Sequence, residues 1–244
     1  MAGQVRIGCS GWSYAHWRKI FYPEKMPARE HFNFYAKHFD TVELNNSFYR
    51  QPPRERFVAW AEQAPPGFLF AVKGSRYISH IKRMAVEQKS IDMVVEPAEG
   101  LGDRLGPILF QFQANFKLDL ARLEAFLPML PGGHRYTLEF RHDSWLIPSV
   151  FDLLRASGIA LCIPDHPKMP QSLQITSDFT YVRFHLGARG IGYSTSALEK
   201  WAERVREWRA ANLDIFLYFN NDMEGYAIKD AKTLADLLRV GRAV

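Results

Sequence analysis

The chain is 244 residues long, 47% hydrophobic and 23% charged, which is ordinary for a soluble protein and supports a substantial core in one or two domains. A formal charge of +5 and a pI near 9.2, without any run of five or six like charges, favour an anionic ligand slightly and permit nucleic acid without demanding it. No apolar run reaches the ~20 residues of a membrane helix and residues 1–6 hold no signal-peptide core, so a soluble, cytoplasmic chain with no membrane partner is expected.

Strand-like and helix-like stretches alternate from end to end, with no tandem repeat, low-complexity segment or flexible linker. Strands are predicted at residues 5–9, 41–44, 68–73, 108–112, 137–140, 160–163, 181–185 and 215–219. Each is short and rich in β-branched, aromatic or other apolar residues, as strands buried in a parallel sheet should be. Helical periodicity marks 32–39, 54–64, 120–127 and 226–238. Pro148 suits the first turn of a helix running to about Ser157, which Gly158 then stops. Ser196-Ala197-Leu198-Glu199 reads as a capping box, followed by Leu198, Trp201, Val205 and Trp208 at helical spacing. The connections 87–106 and 165–179 read as irregular. Cys9 and Cys162, both in apolar strand contexts, read as free buried thiols.

Eight such units in this length predict an α/β fold, a single-domain (β/α)8 TIM-type barrel spanning 1–244. An open doubly wound sheet would carry a glycine-rich phosphate loop after its first strand. Gly8-Cys9-Ser10-Gly11-Trp12 has neither that spacing nor a following helix start. Successive side chains of a strand point to opposite faces, so Val42, Leu44, Phe140, Val182 and Phe184 are expected to face the helices. Glu43, Asn45, Lys73, Gln111, Glu139, Arg141, Asp165, Arg183, His185 and Asn220 are then expected inside, at the C-terminal strand ends where barrel active sites sit.

Several segments together resemble the YecE-like family of uncharacterised barrels, the domain of unknown function 72 family. They include Gly8-Cys9-Ser10-Gly11-Trp12-Ser13-Tyr14, Thr41-Val42-Glu43-Leu44-Asn45-Asn46-Ser47-Phe48-Tyr49-Arg50, Lys73-Gly74-Ser75-Arg76-Tyr77, Glu139-Phe140-Arg141-His142, Tyr181-Val182-Arg183-Phe184-His185 and Phe219-Asn220-Asn221-Asp222. The resemblance runs over essentially the whole chain and implies a (β/α)8 barrel; it supplies no reaction. Gln113-Ala114 stands where the family usually has two prolines, and Ser79 where it usually has threonine.

Two carboxylates in unequal surroundings can supply an acid and a base, so Glu43 and Glu139 are the leading proton-transfer candidates, assisted by His185. The competing reading pairs Glu43 and Glu139 with Lys73, Arg141 and Arg183 as a structural network. Those three cations also suit a carboxylate or phosphate, while Asn45, Gln111, Asp165 and Asn220 would add polar contacts. Trp12, Tyr14, Tyr49 and Trp145, in loops after strands, can wall a ring-shaped ligand. A divalent metal would use Glu43, Glu139, Asp165 and His185. The nearby cations and the lack of a second inward histidine weigh against one, so no cofactor is predicted. The expected function is metal-independent acid–base catalysis (hydrolysis, elimination or isomerisation) on a small anionic or sugar-like substrate. The alternatives are a nucleic-acid-binding protein or endonuclease-like metal-dependent phosphodiesterase, and a non-catalytic ligand sensor.

Overall fold

The computed structural model describes residues 2–187 and 190–240. Its eight strands are β1 (Val5–Cys9), β2 (Thr41–Leu44), β3 (Leu69–Lys73), β4 (Leu105–Gln111), β5 (Tyr136–Glu139), β6 (Ala160–Asp165), β7 (Phe179–Phe184) and β8 (Asp214–Phe219). All ladder pairs are parallel, in the order β1-β8-β7-β6-β5-β4-β3-β2. The helices are α1 (His31–His38), α2 (Asn46–Tyr49), α3 (Arg54–Gln63), α4 (Gln88–Ala98), α5 (Leu120–Phe126), α6 (Pro148–Ala156), α7 (Thr195–Ala210) and α8 (Tyr226–Leu238). This is the (β/α)8 barrel that the alternation of elements predicts.

Two local expectations need correction. The connection 87–106 contains α4, whose Ile91, Val94, Val95 and Ala98 are buried at helical spacing. Pro97 lies in its last turn, so the hydrogen bond it cannot donate is lost only at the end of the helix. The cap of α7 is Ser194, whose hydroxyl accepts from the Ala197 N–H, and Ser196 sits inside the first turn.

Two hydrophobic clusters divide the strands' faces. Val42, Leu44, Phe110, Leu138, Phe140, Ile163, Val182, Phe184 and Leu217 pack outward with helix residues such as Phe57, Val95, Leu154 and Val205. Ala71, Leu109, Ala160, Cys162, Phe179, Tyr181, Phe216 and Tyr218 fill the lumen. Aliphatic and phenylalanine side chains thus cover the sheet's outside, while the centre mixes small residues with the rings of Phe179, Tyr181, Phe216 and Tyr218. Both cysteines are free and buried, Cys9 on the helix side and Cys162 in the lumen.

The ring closes differently between β1 and β2. These strands meet through one parallel bridge, Ser10 with Glu43, outside the named ladders. Beside it, the buried Tyr35 of α1 inserts its hydroxyl between them. It accepts from the Cys9 N–H at 2.8 Å and donates to the Thr41 carbonyl at 3.0 Å. Gly8 makes this approach possible, since a Cβ there would stand 2.2 Å from the Thr41 oxygen.

Candidate functional site

Strand parity sets the site. Counting outward along the lumen-facing positions, Tyr181 leads to Arg183, Thr137 to Glu139, Thr41 to Glu43, Ala71 to Lys73 and Leu109 to Gln111. These five end residues form a buried polar layer above the tyrosines, at the C-terminal face of the barrel.

Arg183 is its centre. Its Nε and Nη2 donate to the two oxygens of Glu43 at 2.9 and 2.8 Å, and its Nη1 donates to Glu139 Oε2 at 2.8 Å. Tyr181 Oη donates to Glu43 Oε2 at 2.7 Å. The other oxygen of Glu139 accepts from Arg141 Nε at 2.7 Å and Gln111 Nε2 at 2.9 Å. The Cys162 thiol lies 3.8 Å from Glu139 Oε2. Every carboxylate oxygen in the layer therefore has a donor, which is how buried charge is tolerated.

The electrostatics follow. Burial works against ionisation of Glu43 and Glu139, but the Arg183 guanidinium outweighs it and holds both carboxyls below their ordinary range, Glu139 the further with Arg141 beside it. Both are fixed anions at neutral pH. Burial, reinforced by Arg183, pushes His185 down to about 3, so its imidazole is neutral. His185 Nδ1 meets Asn220 Nδ2 at 3.1 Å, while its Nε2 stands 3.9 Å from Glu139 Oε1 without a hydrogen-bond partner.

Lys73 differs from the two arginines. It makes no ion pair with a carboxylate among the described residues; its Nζ sits 4.3 Å over the Phe48 ring, with 9% of the residue accessible. Burial and then the Arg183 charge lower its pKa to about 8, against the opposing pull of Glu43 and Glu139. His80 packs edge-on against the same Phe48 ring at 4.9 Å. Burial, with Lys73, Arg141 and Arg76, lowers His80 to about 4. The chain delivers His80 on a short π-helical turn, Tyr77–Ile81, shortly after β3, a form of local under-winding often found at functional positions.

Not every expected residue joins this group. Asp165 lies on the opposite parity: Cys162 points into the lumen and Ile163 outward, so Asp165 points outward too. Its carboxylate accepts from Trp201 Nε1 of α7 at 2.7 Å. Trp145 is fully buried behind β5, stacked on Phe140 at 4.4 Å and donating to the Phe116 carbonyl, because the turn after β5 folds it onto the helix side. Tyr49 ends the short helix α2 with 76% of its surface in solvent, so it walls nothing. With Asp165 turned away and both glutamates saturated by Arg183 and Arg141, the four candidate metal ligands form no metal-binding group among the described residues.

Trp12, Tyr14 and Asn45 do come together. With Gly11, Leu44, Asn46 and Trp60 they line a cleft of about 230 Å3 after β1 and β2. Trp12 meets Trp60 edge-on at 5.6 Å, and the Tyr14 hydroxyl donates to the Ser10 carbonyl. The buried Oδ1 of Asn45 has no protein donor. A larger open depression, about 720 Å3, lies between Tyr77, Glu87, Asp119 and Met129, and none of the buried charged layer lines it.

Sequence reasoning missed Tyr181, Cys162, His80 and Trp60. Tyr181 and Cys162 were legible, sharing the parity of Arg183 and of the small lumen residues. His80 and Trp60 belong to a turn and a helix, where no strand alternation points to the mouth.

The chain is similar to the UPF0759 protein YunF of Bacillus subtilis, 26% identical over 97% of this chain and 95% of that protein. It is 25% identical to the UPF0759 protein YecE of Escherichia coli over 84% of this chain and 82% of the other. Among solved structures, a DUF72 family protein from Thermotoga maritima superposes with a TM-score of 0.86 at 28% identity, covering 97% of this chain and all of that one. One from Enterococcus faecalis gives a TM-score of 0.83 at 20% identity, covering 99% and 98%. Residues 6–244 match the family described as "Protein of unknown function DUF72". With that match over nearly its whole length, the chain belongs to the DUF72 family of (β/α)8 barrels.

Proposed function

We propose that the protein is an enzyme that binds a small anionic substrate at the C-terminal mouth of the barrel and acts on it by proton transfer. The observation that carries this reading is the charge imbalance of the mouth. Arg183, Arg141 and Lys73 converge there against two carboxylates, Glu43 and Glu139, because Asp165 turns to Trp201. Arg183 is consumed internally. Arg141 commits only its Nε to Glu139 and keeps 26% of its side chain accessible, and Lys73 commits nothing to a carboxylate. A carboxylate or phosphate completes such a site, since a guanidinium edge and an ammonium are its natural donors.

The proton-transfer role passes from the glutamates to Lys73. Glu43 and Glu139, held ionised by Arg183, serve as fixed counter-ions, whereas Lys73 changes charge near pH 8. The imidazole of His80, on the same phenylalanine, is neutral at pH 7 and too weak a base to hold a proton there, so its role is to relay one.

Calorimetric titration of sulfate, phosphate and acetate into the protein tests the reading. Saturable binding that weakens at least about tenfold in Arg141→Met and in Lys73→Met is expected, as loss of a charge-assisted hydrogen bond to an anion costs 1.5–3 kcal/mol. Absence of saturable binding for all three anions at low ionic strength would sink it.

A further inference from the structure

The mouth carries a second chemical possibility, resting on the anion site just proposed. We propose that Lys73 is a nucleophile that condenses with the carbonyl carbon of an anionic aldehyde or ketone, so that the substrate class is a 2-oxo acid or a phosphorylated carbonyl compound. Four features of the site support it.

First, the amine is uncommitted. Lysines near carboxylates are usually held as ammonium ions by pairing, yet the two carboxylates nearest Lys73 are saturated by Arg183, Arg141, Gln111 and Tyr181. Second, the amine is desolvated on one side by the Phe48 ring and flanked by guanidinium charge, the two conditions that release a lysine's proton and expose its lone pair. Third, Arg141 engages Glu139 through Nε and keeps 26% of its side chain accessible, which leaves guanidinium donors for the carboxylate or phosphate of a substrate whose carbonyl then meets Nζ. Fourth, the neutral His80 sits across the same ring to relay protons.

The step balances without any redox partner. The Nζ lone pair forms a C–N bond as the carbonyl π pair moves to oxygen. The ammonium proton of the adduct passes through His80 to that oxygen, giving the neutral carbinolamine. A second proton, taken up from solvent, goes to the departing hydroxyl, one water leaves as the nitrogen lone pair closes the C=N bond, and a protonated imine remains on Lys73. Its positive nitrogen withdraws electrons from the neighbouring carbon, which is what eases proton loss, carbon–carbon cleavage or decarboxylation there.

Trapping with cyanoborohydride in the presence of pyruvate or glyoxylate, followed by peptide mapping, tests the proposal. Lys73 is expected to carry the reduced adduct at least roughly tenfold above the exposed Lys25, Lys37 and Lys89, because its pKa is lowered to about 8 and Arg141 stands at the same mouth to hold the carboxylate. Lys73→Arg keeps the charge and should abolish this labelling. Arg141→Met should lower labelling by pyruvate by a larger factor than labelling by neutral glycolaldehyde, which loses only the guanidinium's effect on the Lys73 amine. Equal labelling of Lys73 and the exposed lysines overturns the covalent role. If sulfate still binds in that case, the anion site stands and only the nucleophile falls; if neither sulfate nor pyruvate is held, both fall together.

Discussion

Arg183 clamps both oxygens of Glu43, Nε to Oε2 at 2.9 Å and Nη2 to Oε1 at 2.8 Å, across the lumen from β7 to β2. Its third donor reaches Glu139 on β5, so one side chain ties three strands of the ring. Arg183→Met should therefore leave Glu43 with only the Tyr181 hydroxyl and Glu139 with Arg141 as its one remaining cation, and cost ~3–5 kcal/mol of stability. Adding Glu43→Gln and Glu139→Gln should restore a good part of that loss, because neutral amides no longer lack a counter-charge. Urea unfolding of the two variants checks the order; a triple variant no more stable than Arg183→Met would show that the guanidinium holds the barrel by packing instead of charge.

Lys73 works in the opposite direction. Its folded pKa of about 8 lies below the ordinary lysine value of 10.5, so the unfolded chain binds the extra proton between those values and stability rises with pH across that window. Below pH 8 the buried ammonium is a standing cost. Lys73→Met should raise stability at pH 7 by ~1–3 kcal/mol, and the gain should shrink as pH climbs towards 10. Thermal melts from pH 7 to 10 read this directly. A retained, destabilising side chain at the mouth is what a functional residue looks like.

Acid should weaken the protein in two stages. His185, lowered to about 3 from 6.5, stays neutral when folded but takes a proton when unfolded, so stability falls as pH drops from 6.5 towards 3. Glu43 and Glu139, lowered from 4.5, add their loss only below that value. His185→Gln should flatten the first stage and leave the second. The buried or half-buried His31, His38 and His80, also lowered, keep a remainder of the first stage in that variant. A pH profile indistinguishable from wild type between 6.5 and 4.5 counts against the burial of a neutral His185.

Tyr35→Phe removes the hydroxyl that serves the Cys9 N–H and the Thr41 carbonyl. Two buried backbone groups lose a partner, and a loss of about 1–3 kcal/mol is expected. Native-state hydrogen exchange should place the faster exchange at Cys9 and its neighbours, with the β3–β4 ladder unchanged.

Alternation alone located most of the charged layer. Val42–Glu43–Leu44 and Leu138–Glu139–Phe140 have large apolar residues that must go to the helices, which sends the glutamates inward. The same logic, carried through β6, would have turned Asp165 out, since Leu161 and Ile163 are the bulky pair and Ala160 and Cys162 the small one. Parity says nothing about partners, however. Which cation remains without a carboxylate depends on where β3, β5 and β7 stand around the ring, and Trp201 meets Asp165 only through the docking of α7. Trp145 was misplaced for a related reason: it follows a strand end, but its turn folds it under Phe140 and away from the mouth.

The hydroxyl of Tyr35 also determines where the ring yields. Opening the barrel between any other neighbours breaks a run of ladder bonds, whereas between β1 and β2 the backbones share one bridge and two bonds to a single phenol, with the Arg6–Asp40 ion pair at their N-terminal ends. That line of weakness passes Ser10 and Glu43 and runs straight into the cleft walled by Trp12, Tyr14 and Asn45. Because Glu43 stands on that line, the Arg183 guanidinium, reaching over from β7, also holds the seam from inside, so the charge clamp and the closure of the ring depend on the same carboxylate.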